Sequence, residues 1–177
     1  MKFLLLFALL AGLATPSRAA VNEVRVVEVT EGDVLVIEDD AGSRYPVRLA
    51  GIDAPEPDQP FGEEARSRLK EWALGRPARL EWDKVDRHGR AVGKLWVTSP
   101  DMPCHEDADC PKNLDLGHAL IASGLAWHFK RYESEQPEQD RASYARDEDE
   151  ARARRTGLWS DPAAVAPWAW REGTRPP

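Results

Sequence analysis

Three short segments of the chain set carboxylates and guanidinium groups within a few positions of one another. They are Glu31-Gly32-Asp33, the run Arg48-Leu49-Ala50-Gly51-Ile52-Asp53-Ala54-Pro55-Glu56, and Asp86-Arg87-His88-Gly89-Arg90. Such a set meets the needs of phosphodiester hydrolysis: acids to hold a hard divalent cation, a carboxylate to take a proton from water, and arginine forks for the charge that grows on phosphoryl oxygens. In the middle segment Arg48 closes a strand and the two acids follow in a turn shaped by Gly51 and Pro55, so all three stand at one edge of whatever sheet the strand joins. Taken singly the segments are ordinary. Aspartate beside glycine is a common turn former, and a surface arginine gains only about 0–1 kcal/mol from an ion pair. Their combination in one short chain calls for a shared role.

The surrounding elements decide whether the three segments can meet. From residue 23 to 97 the pattern is mostly strand-like, with β-branched runs at 24–29, 34–37, 45–49, 78–82 and 92–97. Asp39-Asp40-Ala41-Gly42 marks a hairpin between the second and third runs. One helix interrupts the series: Phe61, Ala65, Leu69, Trp72 and Ala73 recur at helical spacing, and Gly75 with Pro77 ends it. A helix between the third and fourth of five strands is an OB-like order, which predicts an α+β fold, a five-stranded OB-fold barrel with three helices. The second helix is expected at 114–123 before Gly124. The third, at 137–155, opens on proline and acids, closes on Arg152, Arg154 and Arg155, and has Gly157 as its C-cap. The i,i+4 pairs Glu148–Arg152 and Glu150–Arg154 make its charge run a solvated face. The tail from Pro162, with Trp168 and Trp170 between prolines, reads as an extended strap on the body.

Composition limits the rest. Lys2, the apolar run 3–13 and the small-residue site Ser17-Arg18-Ala19 form a secretory signal peptide, too short to span a membrane. The remainder at 20–160 is long enough for one domain with a core, with 161–177 as its tail. Cleavage after Ala19 removes Lys2 and Arg18 from the 24 basic residues, leaving 22 against 31 acids and a formal charge of −9. That excludes a protein that coats nucleic acid by bulk positive charge. A local basic cleft around a cation is still allowed. Cys104 and Cys110, in an exported chain, read first as a disulfide closing a short loop; the alternatives are a zinc site with His105 and His118, or free thiols. Of the seven tryptophans, Trp72, Trp82 and Trp96 fall where a core is needed.

The order Gly32-Asp33, Arg48-Leu49-x-Gly51-x-Asp53-x-Pro55-Glu56, Asp86-x-x-Gly89-Arg90, Gly124-Leu125-Ala126-Trp127 and Gly157-Leu158-Trp159-Ser160 resembles the staphylococcal nuclease (thermonuclease) family. The likeness runs over residues 24–160. It implies a five-stranded OB barrel with three helices and a calcium-dependent nuclease that acts on DNA or RNA, releases the 5′-oxygen and leaves a 3′-phosphate. Carried over by position, it implies that Asp33 and Asp53 ligate Ca²⁺, with the backbone carbonyl of Ala54 as a further ligand and Glu31 near the ion through water. Glu56 is then the general base, and Arg48 and Arg90 clamp the phosphate. Tyr132 stands where the family has a tyrosine lining the nucleotide pocket, and Arg87 is the further expected substrate contact. Glu31, where aspartate is usual, Val34 and Ala54, where threonines are usual, and His88, in place of a tyrosine, depart from the pattern. The segment 57–62 is also shorter.

Two classes of function follow. The first is a secreted or periplasmic metal-dependent nuclease, monomeric and free of the membrane once mature. The second is a non-catalytic OB module that binds an oligonucleotide or a protein. A binder has no need of Glu56 together with both arginines and both aspartates, and all five are present.

Overall fold

The computed structural model describes residues 20–105, 107 and 109–176; the expected signal peptide lies outside the described residues. Strands β1 (Ala20–Val29), β2 (Val34–Glu38) and β3 (Arg44–Leu49) form an antiparallel meander. In its hairpin the Asp39 carboxylate accepts the amides of Ala41 and Ser43, an Asx turn of the kind the sequence signals. After the two-residue strand β4 (Ile52–Asp53) comes helix α1 (Gly62–Ala73), then β5 (Pro77–Val85) and β6 (Ala91–Val97). The sheet runs β3-β2-β1-β5-β6, and a parallel β3–β6 pairing closes it into a five-stranded barrel. The α+β barrel expected from the sequence is the fold observed.

Burial explains why these segments form these elements. Alternate residues of the strands point inward, with Val26, Leu35, Val47, Leu49, Leu80, Leu95 and Val97 all buried. Helix α1 closes one side of the barrel with Ala65, Leu69 and Ala73. Short strand β7 (Leu114–Asp115) pairs with the end of β6, so the second helix, α2 (Leu116–Ala122), starts two residues later than the apolar pattern suggests. Asp115 caps it by accepting the Gly117 and His118 amides. Strand β8 (Trp127–His128) pairs with β4, and helix α3 (Glu138–Arg154) packs on α2.

Several expectations are corrected. Trp72 and Trp82 pack against the core, but Trp96 stands on the outer face of β6 between the cations of Arg79 and Lys94, because the strand's alternation turns Leu95 and Val97 inward instead. Glu148 is not on a solvated face: it is 2 % exposed and accepts the backbone amide of His128. Arg155, at φ 54°, takes the left-handed position that ends α3. Gly157 serves a different need, a close approach, since a Cβ there would lie 2.3 Å from the Gly124 carbonyl oxygen. The tail is not wholly extended, because Pro167 opens a fourth helix, α4 (Pro167–Arg171).

Cys104 and Cys110 are joined by a disulfide, which removes them as zinc ligands. His105 is turned to the Met102 carbonyl and His118 stacks on Tyr144. With six positions between the cysteines, the bridge contributes at most about 2–3 kcal/mol. Reduction is therefore expected to add about 2 Da to the mass, with little loss of activity at moderate temperature. Mass spectrometry and a turnover assay before and after reductant check this.

Candidate active site

The site sits at the end of the barrel where β2 begins, β3 ends and β4 follows. Asp33 enters β2 from the β1–β2 turn, and Arg48 pairs with Val34 across the β2–β3 ladder, which brings the two side chains to one edge. Gly51, at φ +76°, reverses the chain after β3 and leads into β4, where Asp53 lies opposite Trp127 of β8. Glycine takes that left-handed conformation without the strain an L side chain would meet there. Gly32 is closely approached, its Cβ position falling 2.7 Å from that of Ala54. These contacts draw the Asp33 turn and the Asp53 segment together.

Asp33 and Asp53 are buried, at 3 % and 1 % exposure. A single nitrogen of Arg48, Nη2, bridges them, 3.2 Å from Asp33 Oδ2 and 2.8 Å from Asp53 Oδ1. The Ala54 amide donates to Asp33 Oδ2 at 3.3 Å. Burial pushes the Asp33 carboxyl up to about 6; Arg48 opposes the rise, while Asp53, and to a smaller degree Glu31, add to it. Two buried carboxylates with oxygen donors only suit a hard cation better than a soft one. No group of three or more His, Cys, Asp or Glu side chains is placed to hold a metal among the described residues. Asp33 and Asp53 are the two buried carboxylates this edge could offer to a cation.

Glu56 follows in the turn that leads to α1. Its amide donates to Gln59 Oε1 at 3.1 Å, and its carbonyl accepts the Gln59 amide at 2.9 Å. A Cβ on Gly62 would lie 1.9 Å from the Glu56 carbonyl oxygen, so glycine is required for the turn to close. Helix α1 begins at Gly62 with no side-chain cap. Glu56 is thus not a capping residue, and its partly exposed carboxylate is paired with Arg171.

Arg90 immediately precedes the closure strand β6, whose Val92 pairs with Arg48 in the parallel β3–β6 ladder. Its Nε donates to Asp86 Oδ2 at 2.7 Å. Partial burial would raise the Asp86 carboxyl, but the Arg90 and His88 amides and the Arg90 guanidinium outweigh it and hold Asp86 at about 2. A carboxyl held below its unfolded value of 3.8 stabilises the fold fully above the unfolded pKa and loses that contribution as pH falls toward the folded one. The stability gap between the parent and Asp86→Asn should therefore be widest near neutrality and shrink as pH drops from 4 to 2. Melting curves across that range check it.

The two expected substrate contacts lie farther out. Arg87 is exposed in the β5–β6 turn, its Nε 3.1 Å from His88 Nε2. Tyr132, half exposed in the 3₁₀ turn Lys130–Glu135, packs edge-on to Phe129 with Lys84 over its ring. Beside β8, an open cleft of about 280 Å³ is lined by Trp127, Phe129, Lys130, Arg131, Arg152 and Trp168.

One site residue was missed. Arg171, the last residue of α4, places Nη2 2.7 Å from Asp53 Oδ2 and Nη1 3.2 Å from Asp53 Oδ1, and Nη1 also donates to Glu56 Oε1. The signal for it was Pro167, a helix-opening proline four residues before an arginine in a tail read as extended.

The family model described as staphylococcal nuclease homologue matches residues 46–161. Among curated relatives, Protein ParB of Escherichia coli is 37 % identical over 90 % of this chain and 84 % of its own length. Micrococcal nuclease of Shigella flexneri is 34 % identical over 85 % of this chain and 80 % of its own. A protein of Escherichia coli O157:H7 described as an uncharacterized endonuclease is 28 % identical over 83 % of each chain.

Proposed function

Since the chain belongs to the staphylococcal nuclease family, we propose that it is an exported, calcium-dependent nuclease that hydrolyses phosphodiester bonds of DNA or RNA and leaves 3′-phosphate ends. The relatives named as nucleases support the hydrolytic activity on nucleic acid. The observation that carries the reading is the convergence of Asp33, Asp53, Arg48 and Glu56 on one barrel edge, with both aspartates buried against a shared guanidinium. The leader-like segment 1–19 and the Cys104–Cys110 bridge support export to an oxidising compartment.

Asp33 and Asp53 would hold Ca²⁺ through their carboxylates, with the Ala54 carbonyl as a further protein donor and Glu31 close by. Bound there, the ion supplies positive charge that draws in a phosphodiester oxygen and stabilises charge growing on the phosphoryl group. Glu56 takes a proton from the water that attacks phosphorus. Arg48 would turn its fork to the phosphoryl oxygens, and Arg90 would meet them from the neighbouring strand. The flanking nucleotides lie along Tyr132 and Phe129 and the cations Lys84, Lys130 and Arg131, where aromatic faces and positive charge suit single-stranded nucleic acid. The acidic whole and the basic cleft are compatible, because only the local field acts on the strand.

Excess chelator is expected to abolish cleavage of plasmid DNA, and added Ca²⁺ to restore it. Asp53→Asn, which keeps the size of the side chain but removes its charge, should then need about tenfold or more calcium for whatever turnover persists. Undiminished cleavage in chelator would remove the metal from the mechanism.

A further inference from the structure

The tail beyond the family match forms an arm that ends in the active site. Its docking is specific. Gln59 Nε2 donates to the Val165 carbonyl at 2.6 Å, Trp170 Nε1 donates to Asp58 Oδ1 at 3.1 Å, and Trp170 is 9 % exposed under the guanidinium of Arg175. On the other side of α4, Trp168 packs against Trp127 and Phe129. The arm therefore sits on the turn that carries Glu56 and on the strand that faces Asp53.

From this seat Arg171 is aimed at the two groups the reaction needs most. Its fork spans both oxygens of Asp53, and its Nη1 reaches Glu56 as well. With Arg48 Nη2 already 2.8 Å from Asp53 Oδ1, neither oxygen of Asp53 is left without a cationic donor. A divalent ion and a guanidinium at van der Waals distance repel each other in a partly buried site, where screening by water is weak. Any cation that ligates Asp53 must move Arg171 away or share the carboxylate at a cost.

We infer that Arg171 is a resident cation of the site, a residue of the C-terminal arm that competes with the divalent metal for Asp53 and so sets the calcium concentration at which the site fills. The inference rests on the reading of Asp33 and Asp53 as the metal carboxylates. In the calcium-free protein Arg171 neutralises the carboxylates and holds Glu56 in an ion pair. Calcium binding breaks both contacts, and the aromatic anchors at Trp168 and Trp170 keep the arm on the body while the guanidinium swings out. Glu56 then becomes free to act as a base only when the metal is in place, which couples the readiness of the base to metal loading.

Calcium titration by calorimetry on the intact chain, without nucleic acid, tests this. Arg171→Ala is expected to bind Ca²⁺ about tenfold more tightly than the parent, within the range usual for coupled sites. Arg171→Lys, which keeps the charge but loses the two-point fork, should fall between them. Arg154→Ala removes an exposed charge at the end of α3 whose ion-pair partner is Glu150, not Asp53, so its affinity should stay within about twofold of the parent, as for an exposed charge screened by water. Near-ultraviolet circular dichroism from the tryptophans reports that the arm is still docked in each variant. An unchanged or weaker affinity in Arg171→Ala would overturn the inference, and so would an equal gain in Arg154→Ala, which would reduce the effect to net charge. If neither the parent nor any variant binds calcium at millimolar concentration, the assignment of Asp33 and Asp53 as metal carboxylates fails and the inference fails with it.

Discussion

Glu56→Gln is expected to lower kcat by about 10²- to 10⁴-fold, the usual contribution of a general base. The substitution keeps the shape of the side chain and removes the group that accepts the proton. The turn that positions it should persist, because its contacts are made by backbone: the Glu56 amide with Gln59 Oε1, the Glu56 carbonyl with the Gln59 amide, and the close approach of Gly62. Arg171 also keeps its two contacts to Asp53, so the arm stays seated. The loss should therefore appear in kcat, with substrate affinity changed far less, since Arg48, Arg90 and the metal still grip the phosphate. The same measurement separates an enzyme from a non-catalytic OB module, which would bind an oligonucleotide equally well with or without the carboxylate and turn over neither. Folding of the variant is established by circular dichroism and a melting curve. If folded Glu56→Gln cleaves within about threefold of the parent, well below the range for a general base, another group takes the proton.

The parts of the fold legible in the sequence were those where local signals and burial agree. Strand β6 alternates over its second half, and Asp39-Asp40-Ala41-Gly42 makes the turn its residue types demand. Where tertiary contacts override a local pattern, the reading failed. Glu148 has the i,i+4 spacing of a surface pair, yet the unpaired amide of His128 draws it inward, a long-range need that no helical wheel contains. Trp96 is apolar and sits in a strand, but two cations cover its ring and let it stay outside the core. In the site, Asp33, Arg48, Asp53 and Glu56 could be found because they flank glycines and a proline at turn positions. Arg171 could not be linked to Asp53 from sequence, since 118 positions separate them and the arm's docking depends on Gln59 and Asp58, which carry no motif.

Arg48→Lys and Arg90→Lys are each expected to lower kcat/KM by about 10²- to 10³-fold, the usual loss when one preorganised donor to a developing oxyanion is removed. Lysine keeps a positive charge but presents a single point where arginine presents a planar fork, so the transition state loses more than the ground state does. The structure predicts that the two arginines part company in stability. Arg48 is largely buried and its Nη2 is shared by two buried carboxylates, Asp33 and Asp53. Arg48→Ala leaves that pair without its counter-ion, a change that costs about 3–5 kcal/mol where a buried ion pair is broken. Arg171 offsets part of the loss at Asp53, but makes no contact with Asp33. Arg90 is bound to Asp86 in a turn at the barrel's rim. Its replacement by alanine should cost less, because the Asp86 carboxylate left behind is more exposed than Asp33 or Asp53 and still accepts the His88 and Arg90 amides. Thermal melts in chelator, so that no metal neutralises the carboxylates, should show a large fall in Tm for Arg48→Ala and a small one for Arg90→Ala. Added calcium should then recover much of the Arg48→Ala loss, because a divalent ion between Asp33 and Asp53 supplies the missing charge. Equal falls in Tm for the two variants would mean that Arg48 is not the counter-ion of the carboxylate pair, and its role would reduce to gripping the phosphate.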